Sequence, residues 1–333
     1  MRAVVYQEYG PPDVLRLQEV AKPSPKENEI LVKIRAVSLN FGDILARKMN
    51  TITPRSFTMP GPLWLPTRLL FGWDKPRRGI LGSEFAGDVT AVGRQVTQFK
   101  PGDAVFGYRG PSMGANADYL CVAEDSLVLP KPANISYEEA ATVPYGGLTA
   151  LSLLRKVNVQ PGQKVLINGA SGAIGSAAVQ LAKQFGAEVT GVCGTPRLAF
   201  VRALGADHVI DYTQEDFAQN GRRYDLIFDI LGKQSFARVK GSLTDNGRFL
   251  LASFKTKQLG QMMWTRLTSG QRVICALSSE SRDDLITIKE LIETGRYKTI
   301  IDRRFPLAET AVAHRYVEAG HKQGNVVITL EAA

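Results

Sequence analysis

The chain has 333 residues, 44% hydrophobic and 22% charged, enough to bury a large core and to divide into two domains. Its net charge of +9 comes from scattered Lys and Arg; the densest group, Lys75, Arg77 and Arg78, lacks any helix-turn-helix, zinc-finger or aromatic-basic pattern, which argues against nucleic acid. Three widely spaced cysteines, Cys121, Cys193 and Cys275, argue against a disulfide framework or a zinc knuckle and fit a reducing, cytoplasmic setting.

Met1 to Tyr9 alternates like a strand rather than reading as a charged-then-apolar leader. Strands are predicted at Ile30–Leu39, Phe85–Val92, Ala104–Gly107 and Tyr119–Val122, punctuated by Gly and Pro, so residues 1–125 read as a β-rich domain. The apolar run Leu63–Trp73, interrupted by Pro66 and Arg68, is too short to cross a bilayer. Ser136 and Glu139 form a capping box that opens a helix towards Leu154. Strand candidates then alternate with helices: Lys164–Asn168, Glu188–Cys193, His208–Tyr212, Asp225–Leu231 and Arg248–Ser253, with the clearest helix at Ala173–Phe185. That alternation predicts a doubly wound α/β domain with a parallel sheet over 126–300. Residues 301–333, with a helix near Ala308–Ala319 and a strand at Asn325–Leu330, are expected to return to the first domain.

The segment KVLINGASGAIG, Lys164 to Gly175, is a buried strand followed by Gly169, Gly172 and Gly175 and then a helix. Such glycines make a tight turn, let backbone approach a pyrophosphate, and let helix and strand pack closely, with the diphosphate at the helix N-terminus. Ser171, Ala173 and Ile174 complete the turn. An Asp or Glu ending the second strand would bind the ribose hydroxyls of NAD. Here the chain reads Cys193-Gly194-Thr195-Pro196-Arg197, and Thr195 and Arg197 suit a 2′-phosphate, so NADPH is favoured over NADH. Arg197 also fits a solvated helix position.

From end to end the chain resembles the zinc-free quinone oxidoreductase branch of the medium-chain dehydrogenase/reductase superfamily. The blocks that carry the resemblance are SLNFGDILAR (38–47), GSEFAGDVTAVG (82–93), FKPGDAVFG (99–107), EEAATVPYGGLTAL (138–151), the glycine motif, LGADHVIDY (204–212) and GHKQGNVVITL (320–330). The resemblance implies a Rossmann domain inserted into a GroES-like β-rich domain, NADPH in the cleft between them, and a homodimer joined through a strand at Val273–Leu277. It also implies cofactor contacts from Asn40, Thr149, Tyr212, Gly232, Ser253, Phe254 and Asn325, although relatives often carry Lys where Asn325 stands. Asn40 and Asp43 are the catalytic candidates, Asn40 beside the nicotinamide; Asp43 and Arg47 equally fit a structural ion pair.

Zinc-dependent members place Cys where this chain has Asn40 and His where it has Ser83, and neither residue here is a zinc donor. Of the three histidines, His208 is expected to lead a buried strand, and His314 and His321 to lie on a helix surface. Without metal, geometry dominates: hydride must face an electrophilic carbon or quinone with water excluded. Where relatives follow Arg47 with glycine and tyrosine, this chain has Lys48, Met49, Asn50 and Thr51, so no side-chain proton donor is evident. The apolar segment Pro60–Arg78 and Met262-Met263-Trp264 fit an adaptable apolar wall for a small hydrophobic electrophile, or interdomain or dimer packing, and Trp64 and Trp73 with the adjacent basic residues also fit a peripheral membrane contact. The functions left open are a quinone or enone reductase, a metal-free carbonyl reductase or alcohol dehydrogenase, and a non-catalytic NADPH-binding protein.

Overall fold

The computed structural model describes residues 1–320 and 322–330; His321 lies outside them. In chain order the first elements are β1 (Arg2–Val5), β2 (Arg16–Glu19), β3 (Glu29–Leu39), α1 (Phe41–Arg47), α2 (Trp64–Phe71), β4 (Glu84–Val92), β5 (Ala104–Tyr108), β6 (Tyr119–Ala123), β7 (Val128–Pro130), α3 (Tyr137–Ala141) and α4 (Val143–Lys156). Next come β8 (Lys164–Asn168), α5 (Ala173–Gln184), β9 (Glu188–Cys193), α6 (Leu198–Ala203), β10 (His208–Asp211), β11 (Tyr224–Asp229), α7 (Phe236–Val239), β12 (Leu243–Leu251), α8 (Thr256–Thr268) and β13 (Arg272–Cys275). The last are α9 (Arg282–Glu293), β14 (Ile301–Pro306), α10 (Thr310–Glu318) and β15 (Asn325–Thr329).

The chain divides into two units, residues 1–52, 66–145 and 281–333 in one, 53–65 and 146–280 in the other. The main crossing into the second unit, after residue 145, comes later than the expected residue 125, with β7 pairing with β5 in the first sheet. Likewise α9 belongs to the first unit, which moves the return from 301 to 281. The short segment 53–65 joins the second unit, which the sequence pattern does not announce.

The first unit is built on a seven-stranded sheet running β14-β15-β3-β4-β5-β7, with β6 also on β3. Its central strand β3 is eleven residues long and buried on both faces along most of its length, as its run of Ile, Leu, Val and Ala dictates. β15 returns to pair antiparallel with β3, Val326 opposite Leu39, as expected for the closing strand. The core beneath holds Ile30, Val32, Ile34, Phe85, Val105 and Ile328.

The second unit is a six-stranded, all-parallel sheet in the order β10-β9-β8-β11-β12-β13. The order reverses direction between β8 and β11, the switch point at which doubly wound sheets bind ligands beyond their strand ends. Strands β8 and β9 match the predicted bounds. α5 is buried from Ala173 to Ala182 with few gaps, because small residues at 173, 175–178 and 182 let it lie close to the sheet. The single helix expected over 136–154 is broken at Thr142, with Pro144 in the first turn of α4, where a missing N–H costs nothing. Among the described residues no helix is long and apolar enough to cross a membrane.

Candidate functional site

In the second unit the chain leaves β8 at Asn168 and turns through Gly169, whose φ of +93° favours glycine. Gly172 is the N-cap of α5 and contributes no side-chain hydrogen bond, so the first amides of the helix remain for a ligand. Gly175 admits no side chain without a backbone shift: a Cβ there would lie 2.0 Å from the Gly169 carbonyl oxygen. Gly146 on α4 is similarly close, its added Cβ 2.7 Å from the Ala173 carbonyl. The turn is therefore held at backbone contact on two sides, with Ser171, Ala173 and Thr149 almost fully buried.

Neighbouring strand ends frame this turn. Asn168 donates to Asp229 at 2.8 Å, and the second Asp229 oxygen accepts from the Gln234 amide at 2.9 Å. Asp229 is buried, which pushes its carboxyl above the ordinary range. This pair ties the ends of β8 and β11 and shapes the loop through Gly232 (φ +64°), where a Cβ would meet the Ser253 carbonyl at 2.8 Å. Ser253 donates to the Thr58 carbonyl at 2.9 Å, and Phe254 is buried. At the end of β9, Thr195 donates to Asp211 and lies 3.2 Å from Thr213. Asp211 also accepts from the Thr213 amide and hydroxyl at 2.9 and 2.8 Å, and these bonds, the Thr195 hydroxyl first, lower its carboxyl pKa. Tyr212 is 62% exposed. Thus all the expected cofactor residues except Asn40 and Asn325 belong to one unit, Thr149 in α4 and the others just beyond the C-terminal ends of its strands.

Asn40, Asp43 and Asn325 belong to the other unit. Asn40 caps α1: its Oδ1 accepts from the Gly42 amide at 2.8 Å, while Asp43 accepts from the Asn40 amide at 3.0 Å, a reciprocal capping box. The Asn40 Nδ2 hydrogens go to Ser83 Oγ at 2.7 Å and Glu84 Oε2 at 3.0 Å. Glu84 Oε1 accepts from the Tyr145 amide at 2.7 Å, and Asp43 Oδ1 accepts from the Gly82 amide at 2.8 Å. All four side chains are buried. Burial raises Asp43 to about 6 and Glu84 to about 7, partly opposed by the hydrogen bonds each accepts. Asn325 donates from both its backbone and side-chain nitrogens to the Ile300 carbonyl, at 3.0 and 3.1 Å.

The expected Asp43–Arg47 ion pair is not what these residues form. Arg47, fully buried, instead engages Glu318, the Gly10 carbonyl and His314 Nδ1. His314 is correspondingly a buried core residue rather than a surface one, and its pKa falls to about 3 through burial and the neighbouring Arg47 and Lys48. His208 is the reverse: it is exposed and sits 3.2 Å from Glu188. Sequence reasoning missed Glu84 and Asp211 as members of the two clusters; the signal available was a carboxylate directly after Ser83 and another just before Tyr212.

Two sequence profiles match the chain: an alcohol dehydrogenase GroES-like domain over residues 26–133 and a zinc-binding dehydrogenase domain over 204–328. The quinone oxidoreductase of Pseudomonas aeruginosa is 32% identical, covering 98% of this chain and 99% of its own. The chain belongs to the quinone oxidoreductase branch of the medium-chain dehydrogenase/reductase superfamily. It is an oxidoreductase of that superfamily. An NADPH-dependent alkenal/one oxidoreductase of Arabidopsis thaliana is 31% identical, over 98% of this chain and 79% of that one. The solved quinone oxidoreductase of Coxiella burnetii superposes with a TM-score of 0.84 at 30% identity, over 99% of both chains. The two units are accordingly a GroES-like β-rich domain and a Rossmann domain. Although one matching profile is named for zinc, Asn40 and Ser83 provide a carboxamide and a hydroxyl bonded to each other. Among the described residues no three His, Cys, Asp or Glu side chains are grouped to hold a metal ion.

Proposed function

We propose that the protein is a zinc-independent, NADPH-dependent oxidoreductase that passes hydride to a quinone or an α,β-unsaturated carbonyl. The observation that carries this reading is the glycine cradle at the N-terminus of α5, where a Cβ on Gly175 would collide with the Gly169 carbonyl and the helix amides carry no side-chain cap. A bound nicotinamide supplies the hydride.

The chain's own residues bind and orient. The amides of Ala173 and Ile174 receive the diphosphate, the Gly172 amide closing the turn onto the Gly169 carbonyl, and Arg197 with Tyr212 borders the place of a 2′-phosphate. The carboxamide of Asn40 has both hydrogens committed to Ser83 and Glu84, so it holds its own loop in place and presents no free donor. Asp43 and Glu84 likewise commit both oxygens, which leaves protonation of the product to solvent. The relatives named for quinone and alkenal/one reduction support the substrate class.

The test is to titrate purified protein with NADPH and NADH and then follow NADPH absorbance with an enal, an enone, a benzoquinone and an aldehyde, with and without chelator. Oxidation with the enone or quinone, unchanged by chelator, is expected. Binding without oxidation of any acceptor points to a non-catalytic NADPH-binding protein, and chelator-sensitive turnover overturns the zinc-free mechanism.

A further inference from the structure

The direction of each hydrogen bond around Asn40 is fixed by its neighbours. Asn40 Oδ1 takes the Gly42 amide at 2.8 Å and Nδ2 lies 3.0 Å from Glu84 Oε2, so turning the carboxamide round would set donor against donor and acceptor against acceptor. Its second Nδ2 hydrogen therefore goes to Ser83 Oγ, 2.7 Å away, and the hydroxyl is the acceptor in that bond. A serine hydroxyl that accepts still has its own hydrogen to give. Among the described residues nothing takes it: the Ser83 side chain makes no hydrogen bond besides the one from Asn40, although the residue is only 3% exposed.

A buried donor without an acceptor is destabilising and rare in folded proteins. The carboxyl groups nearby are already taken, both oxygens of Asp43 and both of Glu84 accepting from other donors, so the missing acceptor comes from outside the chain. Asn40 donating into Oγ also polarises the hydroxyl, which strengthens it as a donor to an atom that gains negative charge. Beside Asn40, the ring of Phe41 is 51% exposed, so the cluster lies close beneath the surface with an apolar ring at its edge. An apolar ring and a single oriented donor suit a small conjugated molecule that carries an oxygen.

We propose that the Ser83 hydroxyl donates a hydrogen bond to the carbonyl or quinone oxygen of the acceptor. Ser83 is then a catalytic residue, and Asn40, acting through it, a positioning residue. This deepens the function proposed above and rests on it. When hydride reaches the β-carbon of an enone, the electron pair of the carbon–carbon double bond shifts towards the carbonyl and the charge settles on its oxygen, where Ser83 meets it. Water then protonates the α-carbon, with NADPH oxidised to NADP+. The hydroxyl keeps its proton throughout, and because burial fixes it beforehand it needs no rearrangement as the charge develops.

The experiment compares wild type with Ser83→Ala, using cyclohexenone. With NADP+ in place of NADPH the enone binds without turnover, and difference infrared spectroscopy reads its carbonyl stretch. The band should lie at lower frequency in wild type than in the variant. With NADPH, kcat/KM for the enone should fall about tenfold or more in the variant, while the NADPH dissociation constant stays unchanged. A serine that only holds Asn40 in place would lower the melting temperature and turnover together and leave the band where it was, and that result overturns the proposal. Should Ser83→Ala fail to fold, a wild-type band no lower than that of the free enone in acetonitrile overturns it without any variant. A wild type that oxidises no NADPH with any enone or quinone brings down the functional reading and this proposal with it, whereas an active wild type whose band matches that of the variant brings down this proposal alone.

Discussion

Replacing Glu84 by glutamine should flatten the pH dependence of stability. The carboxyl is 1% exposed, and burial raises it from 4.5 to about 7 against the hydrogen bonds from Asn40 and Tyr145. A carboxyl whose folded pKa lies above its unfolded one contributes stability that is complete below pH 4.5 and is lost as pH rises through about 7. At about 1.4 kcal/mol per unit, the loss between roughly pH 5 and 8 is about 2 to 3 kcal/mol, or about 3 to 4 °C in melting temperature for a chain of this size. Asp43, raised from 3.8 to about 6, acts in the same direction over a lower window and remains in the variant. The other titratable groups facing Glu84 are Tyr297, raised by burial, and Lys322, lowered by burial to about 8. The introduced glutamine cannot titrate, but its amide faces the Asn40 amide, donor against donor, at a cost of about 1 to 3 kcal/mol. Rotating Asn40 moves the conflict to the Gly42 amide. Melting curves from pH 5 to 8 should therefore show the Glu84→Gln variant below wild type in acid and converging with it in base. Parallel curves would refute the assignment of a buried, proton-holding Glu84.

Asp211→Asn should raise the NADPH-over-NADH preference roughly fivefold by removing a charge beside the expected 2′-phosphate, read from the ratio of dissociation constants. Gly175→Ala should weaken NADPH binding at least tenfold and lower the melting temperature, because its Cβ meets backbone at 2.0 Å; unchanged affinity would show that the turn is not the cofactor cradle. Glu318→Gln should destabilise the protein by about 3 kcal/mol in urea unfolding, since it leaves the buried Arg47 guanidinium without its counter-charge.

The nucleotide-binding half was legible because its signals are local. Gly169, Gly172 and Gly175 lie within one turn, and apolar runs with helical spacing flank them, so β8, α5 and β9 follow from a window of some thirty residues. Features depending on distant chain were not legible. Asn40 meets Glu84 across 44 residues, and His314 meets Arg47 across 267, so an amphipathic reading of α10 alone put His314 on the surface. Strand β12 begins at Leu243 rather than near Arg248, because Leu243 pairs with Tyr224 across a register shift that its polar residues 244–246 conceal.

Because the resemblance sets Asn40 beside the nicotinamide, the cluster around it also bears on which electrophile the proposed reaction suits. A carbonyl taking hydride at its own carbon concentrates negative charge on one oxygen and needs a metal, a cation or a proton donor aimed at it. Here Asn40 donates both side-chain hydrogens inward, and Asp43 and Glu84 place two carboxyl groups beneath it. When ionised, these oppose rather than stabilise a new anion nearby. An enone or quinone spreads the incoming charge over a conjugated system and takes its proton from water, so it asks least of such a cluster. On this argument the ratio of enone to aldehyde turnover should rise with pH through about 7, as Glu84 ionises. A ratio that stays flat from roughly pH 6 to 9, measured with wild-type protein and saturating NADPH, would show that the cluster has no electrostatic say in acceptor choice.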